Sequence, residues 1–301
     1  MKKIKTLLFS CIPLILAIGI QFIAVYFALA VGAIYLFLIA PATQGISHSI
    51  GDLLALASDM DFNTLISIGF SALSIVVFSI WYRKNLNGSF KVDIRKNFRL
   101  NEILGIILLI PGTQFLSSIV SGAISMIFPS WLEDYMELME NAGLTGDISL
   151  LMLFYTVFLA PISEELIFRG VTYRIARKAF PFWIANIIQA LLFGIFHMNP
   201  LQGCYTFIVG LVMGYICEKG SLYHAILFHF LFNLWGTTAS EWILIGDETT
   251  QGILIMVGTI VGLSGGFHFF RKGNQAKIPA TTIEEIQNEE IPNDDEKDVL
   301  Q

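Results

Sequence analysis

Six side chains in the second half of this 301-residue chain combine charge, hydrogen-bonding capacity and a spacing that could do chemistry. They are Glu164, Glu165 and Arg169, then His197, then His229 and Asn233. Glu165 and Arg169 stand at i and i+4 with the acid first, the favourable order for an ion pair along one helix. A helical residue turns about 100° from its neighbour, so Glu164 points away from that pair and its carboxylate stays free while Glu165 is neutralised. A free carboxylate withdrawn from bulk water is a candidate general base. His229 and Asn233 also stand four apart and share a helix face, offering an imidazole that can act as acid, base or metal ligand beside an amide donor.

The surroundings make these residues costly to keep. The chain is 55% hydrophobic and 14% charged, with 25 Phe and a mean hydropathy of +0.69, outside the range of soluble domains. Its uncharged runs are long enough to cross a bilayer as helices, which takes about 18 or more residues. The expectation is an all-α, polytopic integral membrane protein of about eight transmembrane helices, near 10–34, 63–82, 103–127, 149–173, 182–199, 202–218, 221–238 and 252–270. An ionisable group inside hydrocarbon must be paired or hydrated, so each deep one is a functional candidate. Away from helix ends, the six residues above supply nearly all of them.

Charge placement sets the topology. Every Lys and Arg falls at the N-terminus, in 83–99, in the 169–178 end of the fourth span, at Lys219 or from Arg271 onward; 41–62, 128–148, 200–201 and 239–251 hold none. By the positive-inside rule both termini are cytoplasmic, and the protein is expected in the cell membrane. Thr6 to Ala40 is uncharged and reads as one overhanging helix, because two spans would carry the basic 83–99 segment outside; the run is also too long for a signal peptide. Residues 1–271 are thus a transmembrane helical domain with its motif core at about 150–240, and 272–301 an acidic, disordered cytoplasmic tail.

Other local signals refine this outline. Pro129–Gly143 reads as a short interfacial helix with a capping box from Ser130 to Glu133. Pro161 is expected to kink the fourth span and free a carbonyl near Glu164, and Gly203, Gly210 and Gly214 imply close helix packing. The net charge of −6 comes mostly from the tail, and no basic surface exists to hold a nucleic acid, so none is expected as partner. The three cysteines, Cys11, Cys204 and Cys217, form neither a disulfide framework nor a metal spacing.

Depth links the candidates. Glu164 and His197 each lie about 16 residues, or ~25 Å of helix, from the turn at Phe180-Pro181, which places them level in an antiparallel pair. His229 lies nine residues from the turn at Lys219-Gly220. The site is therefore expected within the membrane and open toward its cytoplasmic side.

At these residues the chain resembles a family. Glu164-Glu165-Leu166-Ile167-Phe168-Arg169 is similar to the EExxxR motif, Phe193 to His197 to FxxxH, and His229 to Asn233 to HxxxN, of the CAAX protease and bacteriocin-processing (CPBP, or Abi) family, all in family order. The resemblance implies an intramembrane endopeptidase acting on a lipidated peptide or membrane protein in the bilayer. In that scheme Glu164, with His197, activates a water, His229 and Asn233 stabilise the oxyanion, and Glu165 with Arg169 orients the helix. Members have also been described as metalloproteases, which makes zinc a candidate cofactor and Glu164, His197 and His229 candidate metal ligands, although no HExxH is present. A non-proteolytic bacteriocin self-immunity or scaffold protein would carry the same motifs. An ion-coupled transporter also buries Glu, His and Arg, and would require an aqueous route to both faces. Asn233 is equally suited to interhelical hydrogen bonding.

Overall fold

A computed structural model describes residues 2–44, 48–86, 88, 98–146, 148–238 and 247–275. Among them are ten helices and no strand: α1 (Lys2–Thr43), α2 (Ile50–Ala57), α3 (Met60–Asn85), α4 (Leu100–Ile127), α5 (Pro129–Asn141), α6 (Leu150–Arg177), α7 (Phe182–Phe196), α8 (Pro200–Lys219), α9 (Leu222–Thr238) and α10 (Glu248–Gln275). The protein is an all-α, polytopic membrane protein. Each expected span is a helix, and six of them, α1, α3, α4, α6, α8 and α10, are long and apolar enough to cross a membrane. The other two are shorter, 15 residues in α7 and 17 in α9. Thr6–Ala40 lies in a single helix, as the charge pattern required. The final helix runs to Gln275, past the expected boundary at 271, and the expected tail from 276 lies outside the described residues.

The helices are built for lipid, with apolar residues outside and small or polar ones within. On α7, Trp183, Ile187, Leu191 and Ile195 recur every four residues on the exposed side, while Ala185, Asn186, Gln189, Ala190 and Gly194 are buried. The two amides cross to α8, Asn186 Nδ2 donating to Leu211 O at 3.0 Å and Gln189 Nε2 to Gly210 O at 2.9 Å. Such bonds hold helices together where lipid removes the hydrophobic drive. The glycines let backbones meet: a Cβ on Gly194 would stand 2.6 Å from Gly203 O, and one on Gly112 of α4 would stand 2.6 Å from Leu263 N of α10.

Proline shapes two of the long helices in one way. Pro41 and Pro161 each lack the N–H that a helix needs four residues on, and their rings crowd the carbonyl there. The preceding turns widen instead into π-helix, Tyr35–Ile39 in α1 and Tyr155–Leu159 in α6, closed by Ala40 N–H to Tyr35 O and Ala160 N–H to Tyr155 O. A second widened segment of α6, Leu166–Thr172, follows directly after Glu165. The expected disturbance at Pro161 is thus a change of helical pitch beside the acidic pair, a form frequent at functional sites.

The bundle has two chemically distinct ends. At one, Lys2, Lys5, Asn85 and Lys178 line a common crevice, Arg177 pairs with Glu218 at 3.0 Å, and Arg174 donates to the Tyr82 hydroxyl at 3.2 Å. At the other, Ser149 Oγ lies 3.4 Å from Asp61 Oδ1, and α5 touches α8 through the Tyr135 and Tyr205 hydroxyls at 3.5 Å. The helix expected over Pro129–Gly143 is present as Pro129–Asn141, but its expected capping box is not. Pro129, with its preset φ, starts α5 two residues earlier than a Ser130 cap would, which puts Ser130 inside the helix with no capping bond.

The α4–α10 contact leaves no room for a side chain at Gly112. Gly112→Leu should lower stability by about 1–3 kcal/mol through overpacking, read as a lower unfolding midpoint in detergent; an unchanged midpoint would mean that these helices do not touch there.

Candidate active site

The two adjacent carboxylates of α6 have opposite fates. Glu165 is fully buried and bonded by Arg169, Nη1 to Oε1 at 2.8 Å, with Arg169 also fully buried. The guanidinium extends further, donating from Nη2 to Gly210 O at 3.3 Å and lying 4.4 Å over the Phe193 ring. Glu164, one residue earlier, turns the other way and faces a cavity of about 670 Å³. That divergence is what the helical spacing predicts.

Glu165 has a second partner that spacing along one helix cannot reveal. The same Oε1 accepts from His229 Nδ1 of α9 at 2.9 Å. Binding at Nδ1 fixes the ring and turns Nε2 toward Glu164. Nε2 stands 3.7 Å from Glu164 Oε2, too far for a direct hydrogen bond. The order through space is therefore Arg169, Glu165, His229, Glu164, a chain of side chains that ends at the cavity.

His197 is held by the same device with a different acceptor. It caps α7, and its Nδ1 bonds to Phe193 O one turn back at 2.8 Å, turning Nε2 outward. Phe193 is a structural hub: its ring meets His197 edge-on at 4.8 Å and His229 at 6.0 Å between centroids, besides lying under Arg169. Asn233 uses its amide to tie α9 to the widened turn of α6, Nδ2 donating to Thr156 O at 2.9 Å. Having two amide hydrogens, it keeps one for another acceptor.

Glu164, His197, His229 and Asn233 all line the one cavity, together with Tyr155, Gln202, Tyr205 and Met139. Phe193 was visible in the sequence only as the first residue of FxxxH, and the cavity's tyrosines carried no recognisable signal. Zinc fits less well. Both anchored imidazoles present Nε2 as metal ligation would require, yet among the described residues no three His, Cys, Asp or Glu are grouped to hold a metal ion, Glu164, His197 and His229 included.

The cavity runs along the bundle toward α5. The lining rises from Glu164 and His229 to Met198, Met139, Ala142 and Leu144, residues of the end without Lys or Arg. The lining thus extends toward the end of the bundle opposite the described Lys and Arg residues.

Comparison with known families falls on the same segment. Residues 146–235 match the family model described as Type II CAAX prenyl endopeptidase Rce1-like. The match bears out the CPBP resemblance over α6 to α9, and this Rce1-like segment holds all six site residues. It supports an intramembrane endopeptidase in general terms. No curated protein and no solved structure matches the chain.

Removing Arg169 would strand Glu165 beneath the site. Arg169→Ala should cost about 3–5 kcal/mol, seen as a reduced unfolding midpoint in detergent, and a midpoint equal to wild type would show that the pair carries no stability.

Proposed function

We propose that the cavity is the active site of an endopeptidase that cleaves a lipidated peptide or membrane-protein segment with a water activated by Glu164. The observation that carries this reading is the convergence of Glu164, His197, His229 and Asn233 on one cavity while Glu165 is withheld by Arg169. A carboxylate left out of the Arg169 pair, 3.7 Å from His229 Nε2 and beside a second imidazole anchored through Nδ1, is a general base with proton carriers at hand.

In the proposed reaction Glu164 takes a proton from water as the oxygen attacks the scissile carbonyl. The oxyanion that forms is met by His229 Nε2–H and by the spare amide hydrogen of Asn233, both preset before substrate arrives. Glu165 supports a positive charge on His229 through Nδ1, as a carboxylate supports imidazolium in hydrolytic triads. The proton gained by Glu164 passes, directly or through His197, to the amine as the C–N bond breaks. Water's oxygen ends in the new carboxyl group; one of its protons passes through Glu164 to the leaving amine, the other departs when the new carboxyl group ionises, and Glu164 is returned to its carboxylate form. Prenylated CAAX peptides are the natural first substrates to try, given the printed name of the matching family.

The decisive assay is cleavage of a quenched, lipidated CAAX-type peptide by the purified protein in detergent. Wild type should cleave it, and Glu164→Gln should lose at least about 100-fold in rate, within the range general bases contribute, with its unfolding midpoint unchanged. Chelator should leave the wild-type rate unaltered. Full activity in Glu164→Gln removes that residue from the mechanism, and wild-type inertness across lipidated and membrane-anchored peptides favours the self-immunity or scaffold reading.

A further inference from the structure

Three lysines at the basic end of the bundle have no part in the site around Glu164. Lys2 and Lys5 stand three residues apart in the first turns of α1 and share a helix face, and Lys178 follows directly after α6. All three line one crevice of about 430 Å³, which α3 closes with Trp81 and Asn85, one turn apart on that helix. Like charges drawn together from distant parts of a chain repel unless something of opposite sign lies among them. The lining contains no Asp or Glu, and among the described residues none of the three lysines is paired with an acid.

The neighbouring cations on α6 are satisfied within the protein. Arg174 donates to the Tyr82 hydroxyl at 3.2 Å and lies 4.7 Å over its ring, and Arg177 pairs with Glu218 at 3.0 Å. The lysines instead bring three N–H donors each to a shared space. The rest of that space is apolar and held in place. Trp81 stacks on Phe78 with ring centroids 6.1 Å apart, Ile175 is buried, and Leu86 packs against the core. Phe9 extends the apolar surface along the flank of α1 and is 56% exposed.

The position suits a lipid. At 26 residues, or ~39 Å, α3 is longer than a ~30 Å hydrocarbon core, so its charged last turn, with Arg83 and Lys84, reaches the headgroup layer. Lysine and tryptophan are both favoured at that level. We infer that the crevice binds the phosphate headgroup of an anionic phospholipid, with Lys2, Lys5 and Lys178 on its phosphate oxygens and an acyl chain lying along Phe9 toward the hydrocarbon. Basic pockets between membrane helices recognise such headgroups by charge. Three positive charges match a headgroup with two phosphates better than one with a single phosphate, so cardiolipin should bind more tightly than phosphatidylglycerol, and zwitterionic phosphatidylcholine least. A free phosphate offers the same oxygens but leaves the apolar lining uncovered. The crevice is separate from the cavity at Glu164 and stands whether or not that cavity cleaves peptides.

Binding can be read without any activity. Delipidated full-length protein in an uncharged detergent is titrated with cardiolipin, phosphatidylglycerol, phosphatidylcholine or inorganic phosphate, with bound lipid followed by native mass spectrometry and the unfolding midpoint measured in parallel. Wild type should retain cardiolipin and unfold at a higher temperature with it, since a ligand held only by the folded state stabilises that state. Lys2→Gln, Lys5→Gln and Lys178→Gln together should weaken cardiolipin binding by about tenfold or more. The same loss of charge outside the crevice, by Lys3→Gln, Lys84→Gln and Lys272→Gln, should weaken it by less than about twofold. Arginine at the three crevice positions should restore it, and Lys178→Gln alone should act in the same direction if the triple variant proves unstable. Equal losses in the two triple Gln variants would show a diffuse surface charge and overturn the site. Unchanged binding in the crevice variants, or a wild type that holds phosphatidylcholine as well as cardiolipin or holds neither, overturns it too. A midpoint raised as far by inorganic phosphate as by cardiolipin would overturn the lipid assignment in favour of a free anion.

Discussion

Burying two adjacent carboxylates inside a membrane is the constraint on which the rest of this structure depends. An isolated charge in that setting is unstable, and two side by side would repel. The protein resolves this by treating them differently. Arg169 neutralises Glu165 within one turn of helix, and Glu165 in turn holds His229, so the charge that must be buried also orients an imidazole toward the carboxylate that remains free. Structural and chemical roles are therefore joined in one side chain. Loss of Glu165 would be felt at His229 even though the two residues lie on different helices.

The remaining architecture serves that chain. Asn186 and Gln189 lock α7 to α8, and Arg169 spans from α6 to the Gly210 carbonyl, so three helices are fixed around the guanidinium. Phe193 gives the same region a rigid apolar centre against which both histidines rest. The wide turn before Pro161 leaves Thr156 O to accept from Asn233, which ties α9 to α6 just above the site. Close glycine contacts let these backbones approach without displacing the side chains that do the work.

Much of this was legible in the sequence, because helix periodicity is a local property. The divergence of Glu164 and Glu165, the Arg169 pairing, the single long first helix and the close packing at Gly203 and Gly210 all follow from spacing and hold in the structure. The Glu165–His229 bond was not legible, since it joins residues 64 positions apart through tertiary packing. Nor was the reach of the cavity toward α5, which depends on how helices of unequal length pack. The Ser130–Glu133 box failed for a smaller reason, a proline that starts the helix before the serine can cap it.

The central claim is that Glu165 acts on the reaction through His229. A double-mutant cycle on peptide cleavage tests it most directly, comparing Glu165→Gln, His229→Ala and the double variant by kcat/KM. If Glu165 works by positioning and charging His229, the double variant loses little more than His229→Ala alone, so the two effects are strongly non-additive. Losses that simply add would show that Glu165 and His229 act independently, and would contradict the account.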